Sequence, residues 1–200
     1  MDSARPSDPS GRYVRDTVRT AVKVLIVGHF AVGKTTYVGT LSEIRPLRTE
    51  ERMTQAGATV DDLADISGKT TTTVAMDFGR LTLSDDLVLY LFGAPGQQRF
   101  GGLWNDLARG ALGALILVDT ARLDQSFAVM DIVEKQGLPY AIAVNHFEGA
   151  PSFPEEEVRE ALDLAPETPL VTCDARDHAS STKALIALVD HLLFLDREAM

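Results

Sequence analysis

Two glycines, a lysine and two threonines crowd into a single turn of the run VKVLIVGHFAVGKTTYVGTL, from Val22 to Leu41. Gly28, Gly33, Lys34 and Thr35 fit the spacing G-x-x-x-x-G-K-[ST], directly after an apolar strand and directly before a helical pattern. The chemistry that this spacing serves is the cradling of a polyphosphate. Backbone N–H groups must approach phosphate oxygens closely, which favours residues without a Cβ where the turn is tight, and the helix adds the positive end of its dipole. Lys34 would place a point charge between the outer phosphates, and the Thr35 hydroxyl would coordinate Mg²⁺. Ala31, Val32 and Thr36 complete the expected nucleotide-binding set of this loop. His29 and Phe30 read as loop side chains that shield the phosphates or pack, with no proton to transfer.

The elements that must hold this loop alternate along the chain. AVKVLIVG reads as a strand and GKTTYVGTLSEI as a helix stopped before Pro46; TVAMDFGRLTL and DLVLYLFG read as two strands joined at Ser84 to Asp86. LGALILVD is a strand, DQSFAVMDIVEKQG a helix closed by Gly137, and PYAIAVN a strand. PEEEVREALDL, PLVTC and STKALIALVDHLLFLDRE follow as helix, strand and helix. The pattern predicts an α/β P-loop NTPase fold in three layers: a mixed, mostly parallel six-stranded sheet with one antiparallel strand, and helices on both faces. Val74, Met76 and Phe78 keep one phase while Leu81 and Leu83 keep the other, which suggests a bulge at Gly79 and Arg80. The connection from Arg45 to Thr72 is polar and reads as a long loop. Residues 1–19 read as a flexible tail and residues 20–200 as one domain.

With 29 acidic against 19 basic residues the net charge is −10, which argues against a general affinity for nucleic acid. No stretch reaches the roughly 18 to 20 apolar residues of a membrane span, and neither a signal core nor a lipidation motif is expected. Cytoplasmic location follows, with membrane association only through a partner and no direct insertion. Cys173, the one cysteine, reads as a buried small apolar residue.

A phosphate loop does not choose between ATPases, small-molecule kinases and GTPases. FGAPGQQRF, at the end of the third expected strand, resembles the D-x-x-G-Q element of Ras-like small GTPases; VNHFEG resembles the guanine-reading N-K-x-D, and CDARD the S-A-K loop. LVDTARLDQSF adds a similar Asp-to-Ser-Phe run. The chain thus resembles a bacterial Ras-like GTPase, nearest to the GTPase component of actinomycete conservon operons, related to MglA-like GTPases. The resemblance implies a GTP/GDP switch that hydrolyses slowly with Mg²⁺, and as partners a roadblock/LC7-type protein and a membrane sensor kinase. It implies that Gly96 gives its amide to the γ-phosphate, that Gln97 orients the attacking water, and that Thr73, or Thr72, joins Thr35 on the metal. It places Asn145, His146, Glu148, Asp174, Ala175 and Arg176 around the base.

Three departures qualify what the resemblance implies. Gly93 stands where the aspartate of D-x-x-G would hold Mg²⁺, so the metal would rely on Thr35, phosphate oxygens and a switch threonine. Glu148 replaces the base-reading aspartate, and His146 the lysine whose stem covers the ring. Lys69 and Arg99 are candidates for an internal cation on the γ-phosphate, while Phe100, Leu103 and Trp104 are either a partner surface or core. Two other functions stay open: a nucleotide-dependent interaction protein with negligible turnover, and an ATP-binding P-loop protein. A P-loop kinase is disfavoured because no arginine-rich lid appears.

Overall fold

The computed structural model of the chain describes residues 16–53, 72–94 and 101–198, with side chains outside 48–53, 72–75, 101–103 and 198. The strands are β1 (Thr20–Val27), β2 (Leu47–Met53), β3 (Thr72–Thr82), β4 (Leu87–Gly93), β5 (Ala111–Val118), β6 (Tyr140–Asn145) and β7 (Leu170–Cys173). The helices are α1 (Lys34–Leu41), α2 (Gly101–Ala108), α3 (Phe127–Lys135), α4 (Glu155–Ala161) and α5 (His178–Glu198). The class is the expected one: an α/β fold consistent with a P-loop NTPase, built on a mixed, mostly parallel sheet.

The sheet holds seven strands rather than six, in the order β2-β3-β4-β1-β5-β6-β7. The additional strand is β2, from within the segment expected to be loop. Its sequence LRTEERM has no apolar alternation, which an edge strand with a single neighbour does not require. β3 runs antiparallel to both β2 and β4, and it is the strand that opposes the direction of the others.

β1 sits at the centre and alternates its side chains between two cores. Val24 and Ile26 pack with Tyr37, Val38 and Leu41 of α1 and with Ala184, Leu185 and Leu188 of α5. Leu25 and Val27 face the other way, toward Trp104 and Leu107 of α2, Val129, Met130 and Val133 of α3, and Val158 of α4. Burial on both faces explains why β1 and β5 read as continuous apolar runs. Trp104 is 1% exposed and belongs to the core rather than to a partner surface. α2 itself has no counterpart among the expected elements. Among the described residues no helix is long and apolar enough to cross a membrane.

The bulge expected at Gly79 is absent. The β3–β4 register runs unbroken from Asp77↔Gly93 to Thr82↔Val88. The change of apolar phase has another cause: Met76 packs into the core beneath α2 and α3, and Leu81 into the core beneath α1 and α5. Gly79 lets α1 lie close, since a Cβ there would stand 2.8 Å from Val38 Cγ1 and 3.0 Å from Ser42 Cβ. Gly39, on the exposed side of α1, has only an ordinary contact with Pro46 at 3.9 Å. The same substitution at the two sites therefore has opposite signs. Gly79→Ala lowers stability by about 1–3 kcal/mol through overpacking, whereas Gly39→Ala raises it by up to about 1 kcal/mol through helix propensity; urea unfolding of both variants measures the difference.

Candidate functional site

The turn from β1 into α1 is built by backbone conformations that few side chains tolerate. Gly28 has φ 144° and Gly33 φ 103°, with Ala31 between them in the left-handed region at φ 62°. A Cβ on Gly28 would lie 2.5 Å from the Leu117 carbonyl oxygen, and one on Gly33 2.5 Å from Asn145 Nδ2. Gly33 also precedes the first turn of α1 without a side-chain cap, so no capping side chain occupies the first amides of the helix. That is the arrangement in which main-chain N–H groups serve an anion.

Lys34 Nζ folds back over the loop and donates to the carbonyls of Gly28 (2.9 Å) and His29 (2.7 Å). Burial lowers its pKa to about 8, against a smaller upward pull from the Asp77 carboxylate. Val32 is fully buried, while Thr35, Thr36 and Ala31 are exposed around the turn. The Thr35 hydroxyl donates to Asp77 Oδ2 at 2.5 Å. Asp77, on β3, was not among the site residues expected from the sequence; only its place two residues before Gly79, on the strand that pairs antiparallel with β4, could have suggested it.

His29 and Phe30 part company. Phe30 is 74% exposed at the apex of the turn, whereas His29 is buried. His29 Nδ1 lies 2.7 Å from the Phe30 carbonyl oxygen, which can only accept, so Nδ1 carries the proton and buried Nε2 is left without a partner. Burial, the largest influence, pushes the ring below its ordinary pKa.

Asn145, at the end of β6, joins this loop to the one after β7. Its Nδ2 donates to the Val32 carbonyl and its Oδ1 accepts from the Ala175 amide, both at 2.9 Å. Two further ties run in parallel: Thr40 Oγ1 donates to the Ala175 carbonyl at 2.6 Å, and Tyr37 Oη to the Ser181 carbonyl at 2.8 Å. Asp174 and Arg176 are locked together, with Nε and the Arg176 amide both 2.9 Å from Oδ1 and Nη2 2.8 Å from Oδ2. These bonds hold the Asp174 carboxyl down at about 2. Exposed Glu148 and His146 act across the opening on Arg176 and Asp174 respectively, which sets the two loops face to face.

A cavity of about 230 Å³ lies beside the loop that follows β6, lined by Phe147, Phe153, Val158 and Leu170 among others. Asn145 and His146 also line it, and Val158 and Leu170 belong to the core beneath α2, α3 and α4. Cys173 is buried, and burial pushes its thiol up to about 11, which removes it as a nucleophile. No group of three or more metal-ligating side chains occurs among the described residues. Gly96, Gln97, Lys69, Arg99 and Phe100 lie outside the described residues, as do the side chains of Thr72, Thr73 and Leu103 and all of residues 1–15.

Residues 26–194 match a family described as "Conserved hypothetical ATP binding protein". The chain belongs to that family. No curated protein matches the chain. Membership corrects the resemblance to conservon and MglA-like GTPases. The motifs on which that resemblance rests, a phosphate loop and the strand ends around it, answer to the chemistry of a bound nucleotide, which different families share. Family members are nucleotide-binding proteins of the P-loop type, and the geometry around Lys34 fits that description.

The Asn145 bridge makes a prediction that needs no ligand. Asn145→Ala strips the Ala175 amide and the Val32 carbonyl of their partner, and each buried group left unsatisfied costs about 1–3 kcal/mol. Denaturant unfolding is expected to show that loss, accompanied by faster amide exchange at Ala175.

Proposed function

We propose that this protein binds a purine nucleoside triphosphate with Mg²⁺ and hydrolyses it slowly, ATP being the nucleotide that the family supports. The observation that carries the reading is Lys34: a desolvated ammonium held at the mouth of a loop whose backbone turns at Gly28 and Gly33. A triphosphate would find there a fixed charge and converging amides without further reorganisation, which is the economy electrostatic catalysis requires. The residues also suit Mg²⁺, a hard cation that prefers oxygen ligands and keeps several waters. The Thr35 hydroxyl would present that oxygen, and the cation would neutralise charge on the β- and γ-phosphates. Gly96 and Gln97 keep their places in the proposal by spacing: an amide on the γ-phosphate and a carboxamide orienting water. Thr73 is the second metal oxygen.

One observation favours guanine as a second reading. Glu148 stands opposite the 174–176 loop and offers two acceptor oxygens, and guanine presents two adjacent donors on one edge where adenine presents one amine. The amides of Ala175 and Arg176 are already engaged by Asn145 and Asp174, so the discrimination would fall to that carboxylate.

Competition binding of ATP and GTP with Mg²⁺, followed by single-turnover phosphate release, tests the proposal. Lys34→Ala is expected to weaken both nucleotides by at least about tenfold, which is about 1.4 kcal/mol. Preference for ATP unaffected by Glu148→Ala supports the adenine reading; preference for GTP that Glu148→Ala abolishes supports the guanine reading. Binding of neither sinks the proposal.

Lys34 also sets a pH dependence. Its pKa near 8 in the free protein means that above that pH the site is neutral and must take up a proton to hold phosphate. Affinity is therefore level below about 8 and falls above it, approaching about tenfold per pH unit. The unfolded lysine keeps its proton up to its ordinary pKa of 10.5, so the ligand-free protein gains stability as pH rises from about 8 toward that value. Calorimetric titration across pH measures the first effect and urea unfolding the second.

A further inference from the structure

Gly93, the last residue of β4, has no side chain with which to hold a metal, yet a carboxylate stands at that place. It comes from the neighbouring strand. Asp77 is the cross-strand partner of Gly93, and a Cβ on residue 93 would lie 3.1 Å from Asp77 Cβ and 3.3 Å from Asp77 Oδ2. The aspartate therefore folds over the glycine and fills the room that a side chain on β4 would use. From there Oδ2 accepts the Thr35 hydroxyl proton.

We propose that Asp77 supplies from β3 the carboxylate that β4 lacks, holding the Thr35 hydroxyl in position for Mg²⁺, and that residue 93 is glycine so that this carboxylate can reach across. The proposal rests on the reading of the site as a magnesium–nucleotide site. A hydroxyl has one proton, and its oxygen ligates a cation well only when that proton is directed elsewhere; a carboxylate accepting it turns the lone pair outward and adds negative charge nearby. The ladder fixes the arrangement. The neighbouring pair Phe78↔Phe92 stacks edge to face at 5.1 Å on the opposite side of the sheet, which adds to the ladder in holding this register. An aspartate at both positions would set two like charges directly opposite each other, which a ladder disfavours. One carboxylate on either strand meets the need, and here it stands on β3.

The experiment measures the affinity of the full chain for fluorescent ATP and GTP, with Mg²⁺ titrated in and with EDTA. Asp77→Asn keeps the shape and one acceptor of the side chain. It is expected to weaken the apparent Mg²⁺ affinity about 10- to 100-fold without lowering nucleotide affinity in EDTA, where one negative charge fewer faces the phosphates, a split that a merely structural hydrogen bond would not produce. Gly93→Ala, which crowds the carboxylate by a few tenths of an ångström, shifts the Mg²⁺ titration in the same direction by a smaller factor. The exchange Asp77→Gly with Gly93→Asp regains Mg²⁺ dependence that Asp77→Gly alone loses. An Asp77→Asn titration that superimposes on wild type overturns the proposal, as does a folded exchange variant no better than Asp77→Gly. Should Asp77→Asn not fold, Gly93→Ala decides: an unshifted titration overturns the proposal and a shifted one supports it. Wild-type protein that binds neither nucleotide, or binds equally well in EDTA, defeats the functional reading and the proposal together, and is recognised without any variant.

Discussion

One carboxamide holds the site's geometry together. Asn145 spends both ends of its amide on backbone groups, the Val32 carbonyl of the phosphate loop and the Ala175 amide beyond β7. Because it sits on the last residue of a buried strand, its position is set by the sheet rather than by either loop. The dependence runs through Gly33 as well: any Cβ there would strike the Asn145 side chain, so the glycine of the loop and the asparagine of the strand require one another. Thr40 and Tyr37 reinforce the same link by tying α1 to the segment that leads into α5 and to the first turn of α5 itself.

Around this bridge the charges divide by burial. Lys34, drawn out of water, is cheap to pair with phosphate because much of its desolvation is already borne by the fold. Asp174 and Arg176 lie at the open side and satisfy each other, which keeps their loop shaped without adding net charge to a strongly acidic chain. The result is a cationic centre inside an anionic protein. Net charge thus says little about this site, while local desolvation says a great deal.

The sheet explains why chemistry gathers at one edge. β1, β4, β5, β6 and β7 run parallel and end on the same side, so the residues just after them converge although they are distant in sequence. β3 runs the other way and brings its beginning, not its end, to that edge. Asp77 reaches the phosphate loop for this reason.

What could be read in the sequence was what local physics encodes. The Gly28-to-Thr35 spacing, the buried runs of β1 and β5 and the alternation of strands with helices announce themselves within a window of ten or twenty residues, because backbone conformation and burial period act at that range. The tertiary structure alone decided the rest. LRTEERM became β2 because an edge was available to it, not through any apolar pattern of its own; Gly79 marked the approach of α1 and not a bulge. Asp77 entered the site through a ladder register and a glycine sixteen positions away. Lineage was the hardest to read, since motifs shaped by a polyphosphate record the ligand's demands, and those demands are the same whichever family meets them.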